Sequence, residues 1–135
     1  MDVELALIVW TAAAELWADG HYGQAVQRAA SFLNVNVQEL LGRRDIADSA
    51  LMAQAFSSNP ATADNPRLRW TGNDTDLTVK SMRDGLRGFS SGCFLAIRNP
   101  STHSIEVQSQ QDCFEQLASL SLLAKWIDRC DVVTL

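Results

Sequence analysis

Residues 79–98 read VKSMRDGLRGFSSGCFLAIR, with an apolar residue every third or fourth position and no proline before Pro100. That spacing predicts a helix, and 3.6 residues per turn sort its side chains into three sectors. Val79, Met82, Leu86, Phe89, Cys93 and Ile97 form an apolar sector expected to face a core. Gly85, Gly88, Gly92 and Ala96 form a sector of small residues. Lys80, Arg83, Arg87 and Arg98 fall within roughly 60° of one another, with Ser91 among them. Asp76 is a suitable N-cap for this helix, and Pro100 forbids its continuation beyond Arg98.

The rest of the chain is read outward from this helix. Apolar residues at helical spacing (Leu5, Val9, Ala12, Leu16) predict a first helix over Val3–Ala18, with Trp10 and Trp17 on another face and Asp19-Gly20 ending it. A second helix is expected from Gln24 to about Leu41, turning Ala25, Val26, Ala29, Ala30 and Leu33 inward. Asn34 and Asn36 weaken its later turns and Gly42 stops it. A short third helix covers about Ile46–Phe56, with Ala50, Leu51 and Ala53 apolar. Residues 57–75 hold two of the three prolines and read as one long loop, within which Leu68-Arg69-Trp70-Thr71 is a candidate extended piece. A last helix is expected from about Asp112 to Asp131, with Phe114, Leu117, Leu120, Leu123, Ala124 and Ile127 inward. The fold class that results is all-α, a bundle of about five helices, in a single domain spanning residues 1–135 that is either a whole protein or the C-terminal domain of a longer one.

At 47% hydrophobic and 20% charged residues the composition is that of a folded chain. Cys93, Cys113 and Cys130 are odd in number, widely spaced and without a CxxC pair. Buried thiols are therefore expected, with no disulfide framework, no metal site and no cofactor. The N-terminal apolar run follows Asp2 and Glu4 and stops at Glu15, which fits neither a signal peptide nor a membrane span, so the chain reads as cytoplasmic. Net charge is −5, against broad nonspecific affinity for nucleic acid. The charge is uneven, however. Residues 66–103 carry six basic and three acidic groups, while both flanks are acidic.

That basic third contains Arg98-Asn99-Pro100-Ser101-Thr102-His103. A permanently charged guanidinium offers two parallel hydrogen bonds to a phosphate, and a histidine titrates near neutral pH. Cleaving RNA without a metal requires a proton taken from the 2′-OH, stabilisation of charge on the phosphorus oxygens and a proton given to the 5′-oxygen. His103 suits the first or the last role, Arg98 suits the second, and Asn99 is placed to orient either partner. One histidine does not comfortably serve as base and acid in one turnover, so two motifs facing each other in a homodimer are expected. Lys80, Arg83 and Arg87 lead towards Arg98 as candidate phosphate contacts. His21 and Tyr22, at a helix N-terminus, are auxiliary candidates beside a plain capping and packing role. Three glycines in one sector destabilise a helix by roughly 1 kcal/mol each relative to alanine. Either close approach of another helix or a ligand, or tight packing inside the chain's own bundle, would explain them.

The segment Gly92–His103 resembles the signature of the HEPN superfamily, an arginine, a polar residue and a histidine after a short spacer. It is most similar to the Ymh-type branch, a prophage- and defence-associated family in which a small-residue helix ends in Arg-Asn-Pro-x-x-His. Leu16–Tyr22 with Ala25 and Ala29, Leu51-Met52 with Ala55-Phe56, and Leu117–Leu123 agree in order, so the resemblance covers nearly the whole chain. It implies an all-α bundle that dimerises so that two motifs meet. It also implies metal-independent endoribonuclease activity in toxin–antitoxin, abortive-infection or phage-defence systems, with an antitoxin protein or nucleotidyltransferase as partner. By motif position Arg98 and His103 would be catalytic and Asn99 auxiliary. Ser101-Thr102 depart from the basic residue and alanine frequent in that branch, which weakens the expectation of a phosphate contact there. Two other readings stay open: a catalytically silent RNA- or nucleotide-binding module, and a protein-interaction domain whose tryptophans and glycine face dock a partner.

Overall fold

The computed structural model describes residues 5–98 and 108–135. In chain order these form α1 (Leu7–Ala18), α2 (Tyr22–Leu41), α3 (Asp48–Ala55), β1 (Arg67–Trp70), α4 (Leu77–Cys93), which continues as a π-turn over Phe94–Arg98, α5 (Gln110–Asp128) and β2 (Cys130–Val133). The architecture is all-α with one small two-stranded sheet.

α1 and α2 form an antiparallel hairpin whose reversal is built from Gly20. With φ +81° at Gly20, the amide of His21 donates to Leu16 O (2.8 Å) and that of Gly20 donates to Trp17 O (3.1 Å), the paired bonds of a Schellman stop. Trp17 braces the turn edge-on against Tyr22 and lies against Phe114 of α5, while Trp10 stands largely exposed. The same stop recurs at the end of α2, where Gly42 (φ +64°) lets the Arg43 amide reach Gln38 O at 2.9 Å. The inward face of α2 is Ala25, Val26, Ala29, Ala30, Leu33, Val37 and Leu41, as expected from its spacing and two residues longer than expected at its start. Small alanines on that face let α1 lie close against it.

α3 buries Leu51, Met52 and Ala55, whereas Ala50 and Ala53, the other apolar residues read in it, are exposed. Asn34, read as a weak point of α2, accepts the Asp48 amide at its Oδ1 (2.7 Å) and so fixes the start of α3. The extended piece expected within the 57–75 loop is a strand, Arg67–Trp70, one residue earlier than read, and its antiparallel partner is Cys130–Val133, with Trp70 opposite Cys130 and Arg67 opposite Val133. The last helix therefore stops at Asp128 rather than Asp131. Helical periodicity carried the expectation past that end, while a ladder with a strand 60 residues away is invisible to local pattern.

α4 begins where expected. Asp76 Oδ1 accepts from the amides of Thr78 (2.8 Å) and Val79 (3.3 Å). Its far end departs from a regular helix. A π-turn takes over at Phe94, which is fully buried in the core next to the buried Cys93. The core around it includes Val9, Leu33, Met52, Leu86, Leu117 and Leu120. On the opposite side of the bundle, the Ala6 amide donates to the buried Ser121 Oγ at 2.6 Å, tying the start of the described chain to α5. Among the described residues no helix is long and apolar enough to cross a membrane.

Replacing Asp76 by alanine removes the cap of the helix that carries the motif arginine and is expected to lower unfolding free energy by about 1 kcal/mol. Urea titration reads this directly, and Asp76→Ser is expected to recover most of the loss.

Candidate functional site

Arg98 is the last residue of the π-turn. That wider turn carries its side chain towards α2 and α3. Nη1 donates to the Gln27 carbonyl (2.9 Å) and to Ser31 Oγ, one helical turn further along α2. Nε faces Asp48 Oδ1 at 4.0 Å. Gln27 returns the contact by donating from Nε2 to the Ile97 carbonyl at 3.2 Å. The guanidinium is thus clasped by two helices and about three-quarters buried. Hydrogen bonds from a charged donor contribute roughly 1.5–3 kcal/mol each, which makes this a rigid seat.

Asp48 itself is unusual. It is the described non-glycine residue with positive φ (55°), and its Oδ1 is buried with no hydrogen bond. A short polar side chain tolerates that backbone region, and the neighbouring cation offsets part of the desolvation of the carboxylate. Gln27, Ser31 and Asp48 were not singled out from sequence. The Gln27/Ser31 spacing puts both on one face of α2, but nothing local assigns them to an arginine 67 or more residues away.

Asn99 and His103 lie outside the described residues, so the structure places only the arginine of the motif. The cationic stripe is divided among different tasks. Arg83 is folded back onto the carbonyls of Trp70 (2.9 Å from Nη2) and Gly72 and pairs with Asp74 at 2.6 Å. Arg87 stands partly exposed, 3.6 Å from Asp84, and Lys80 is exposed. The expectation of one continuous row assumed 3.6 residues per turn up to Arg98, and the π-turn breaks that register.

Of the two explanations for the glycine sector, packing inside the bundle is not what the described residues show: among them a Cβ added at Gly85, Gly88 or Gly92 would meet nothing within 4 Å. Gly85, Gly88, Leu95 and Ala96 are exposed and Gly92 half-buried among the described residues, so this face of α4 runs towards Arg98 with little covering it. His21 is exposed at the N-cap of α2 and caps no amide with its side chain, while Tyr22 packs on Trp17. A separate groove of about 860 Å³ runs between α1 and α5, lined by Leu5, Leu7, Ile8, Trp10, Phe114 and Lys125, and does not include Arg98. Among the described residues no three His, Cys, Asp or Glu side chains converge as metal ligands.

An all-α bundle whose motif arginine is seated between three elements beside an open helix face is the class that fold and site define. The chain belongs to the family described as a protein of unknown function (Hypoth_ymh), whose profile matches residues 4–127. No match is found among curated proteins, and none among solved structures.

The three thiols sit apart from this site. Burial pushes the Cys93 and Cys130 thiols up to about 11, with Asp131 adding to the effect at Cys130, and burial followed by Asp112 raises Cys113. Because these shifts disfavour the thiolate, the native protein is expected to react with a thiol-specific disulfide reagent at about pH 8 far more slowly than a free cysteine does. Denaturant should release all three. Prompt labelling of Cys93 in the native state would show that its environment is not the apolar one described.

Proposed function

We propose that this chain is a metal-independent, HEPN-like endoribonuclease that works as a homodimer in the cytoplasm, as a toxin or phage-defence effector. The observation that supports this reading is the seating of Arg98. A guanidinium clasped by Gln27 and Ser31 and faced by Asp48 pays little reorganisation when a phosphate arrives, which is how an electrostatic stabiliser gains over one dissolved in water. In the reaction His103 takes the 2′-OH proton as the oxygen attacks phosphorus. Arg98 meets the negative charge gathering on the non-bridging oxygens, and the 5′-oxygen leaves with a proton, giving a 2′,3′-cyclic phosphate. Asn99 orients the histidine or the phosphate. A second copy supplies the second histidine, and the open glycine face of α4 is where two copies would approach closely enough to share a site. An antitoxin protein or a nucleotidyltransferase is the partner this reading implies.

The second reading is an RNA-binding module without turnover. It is favoured by the same clasp, because Nη1 is already committed to Gln27 and Ser31. Expression of wild type, Arg98→Ala and His103→Ala in bacteria separates the two. Wild type is expected to arrest growth and fragment RNA, and both variants to be harmless. Since Arg98→Ala also removes the clasp, its melting temperature is measured in parallel and His103→Ala carries the decision. Equal harmlessness of all three proteins, with RNA bound but intact, selects the second reading.

The dimer has its own test. Gly88→Leu is expected to convert the dimer to monomer in sedimentation velocity and to abolish toxicity without lowering the melting temperature, because a Cβ at this exposed position meets no described atom within 4 Å. A Gly88→Leu protein that remains dimeric and toxic would place the interface elsewhere.

A further inference from the structure

Arginines also gather at the end of the molecule where the sheet lies. Three elements converge on Trp70 there. Arg83 of α4 donates to its carbonyl from Nε (3.2 Å) and Nη2 (2.9 Å). Arg129, just beyond α5, lies over its ring at 4.4 Å. Arg69 precedes it on β1 and donates to the carbonyls of Asn59 (2.8 Å) and Leu68 (3.3 Å). Two residues before Arg69 on β1, Arg67 is only 8% exposed, donates from Nη1 to the Gln54 carbonyl at 2.6 Å, and leaves Nε buried without a hydrogen bond.

What holds these guanidinium groups is mostly backbone carbonyl, which fixes position without neutralising charge. Arg67, Arg69 and Arg129 form no ion pair with any described residue, and Asp74 pairs with Arg83 alone. Asp131 stands opposite Arg69 in the ladder without pairing to it. The guanidinium of Arg69 is held below its ordinary range first by burial and then by Arg67 and Arg83, with Asp74 opposing them. Four guanidinium groups gather here beside the carboxylates of Asp74 and Asp131, at one end of a chain of net charge −5, and such a cluster suits an external anion.

We propose that the arginine collar around β1, formed by Arg69, Arg83 and Arg129 with the buried Arg67 on the same strand face as Arg69, is a phosphate-binding surface that holds an RNA strand at a distance from the motif arginine. The proposal rests on RNA being the substrate. Guanidinium forks fixed by carbonyls present their remaining donors to phosphate oxygens with little loss of conformational freedom. Lys80 and Arg87, one turn to either side of Arg83 on α4, extend the surface. Arg83 and Arg98 are separated by roughly 20 Å along the helix, so the collar serves binding and not the chemical step.

The test is a fluorescence-anisotropy titration of a short labelled single-stranded RNA over a series of salt concentrations. Wild type is compared with Arg69→Gln/Arg129→Gln and with Arg28→Gln, an exposed charge on α2. The double variant is expected to bind about tenfold more weakly, with a salt slope smaller by about two, while Arg28→Gln stays within about twofold of wild type. Cleavage is expected to show a raised KM at unchanged kcat. Arg129→Gln alone, on the surface over Trp70, serves if the double variant does not fold, and is expected to show about half the change in slope. The proposal is overturned if wild type does not bind RNA, if the collar variants bind as wild type does, or if Arg28→Gln loses as much affinity as they do. Normal cleavage by a double variant with wild-type affinity removes the collar and leaves the ribonuclease reading standing. Collar-dependent binding by a wild type that leaves RNA intact does the reverse.

Discussion

The wide turn at Phe94–Arg98 is the feature on which both core and site depend. Cys93 closes the regular part of α4 and Phe94 opens the π-turn, and both are buried; at the other end of that turn Arg98 reaches α2 and α3. π-bulges interrupt the regular hydrogen-bond ladder and recur at functional sites. Here the interruption is offset by a fully buried phenylalanine on one side and by the Gln27–Ile97 and Arg98–Gln27 bonds on the other. α2, α3 and the end of α4 are held together through that single turn, so the orientation of the motif arginine follows from core packing.

A second theme is how a net acidic chain handles its arginines. Arg43 pairs bidentately with Asp45, whose carboxyl this contact holds at about 2, and also reaches Gln54 and Asn65, bracing the loop before β1. Arg67, Arg69 and Arg83 are instead anchored mainly on carbonyls. The first arrangement neutralises charge, and the second leaves Arg67 and Arg69 without an ion pair among the described residues while Arg83 alone pairs, with Asp74. The contrast separates arginines that build the fold from those that leave the surface around β1 positive.

Much of the architecture was legible locally. Gly20 and Gly42 marked helix ends because only residues at ease with positive φ close a Schellman stop, and both do so. Asp76 was legible as a cap, and the inward faces of α2 and α5 followed from spacing. β2 was not legible, since Cys130-Asp131-Val132-Val133 continues a helical run until Arg67–Trp70 supplies the partner strand. The glycine sector was visible as a pattern, yet whether it faced the bundle or open space depended on which helices surround α4. The same holds for the basic residues, whose shared face on an ideal helix says nothing about the carbonyls of Trp70 and Gly72 that draw Arg83 aside.

The sequence by itself determined the all-α class, the helix boundaries set by caps and glycines, the family of unknown function to which the chain belongs, and the identity of the motif arginine. Those depend on residue type and on interactions within a turn or two of helix, which a linear pattern records. Tertiary structure alone decided what Arg98 touches, that Asp48 is bent into a left-handed conformation beside it, and that Arg83 and Arg129 meet at Trp70. Each of those outcomes joins residues far apart in the chain, and their approach is set by how the bundle packs, which no local periodicity contains.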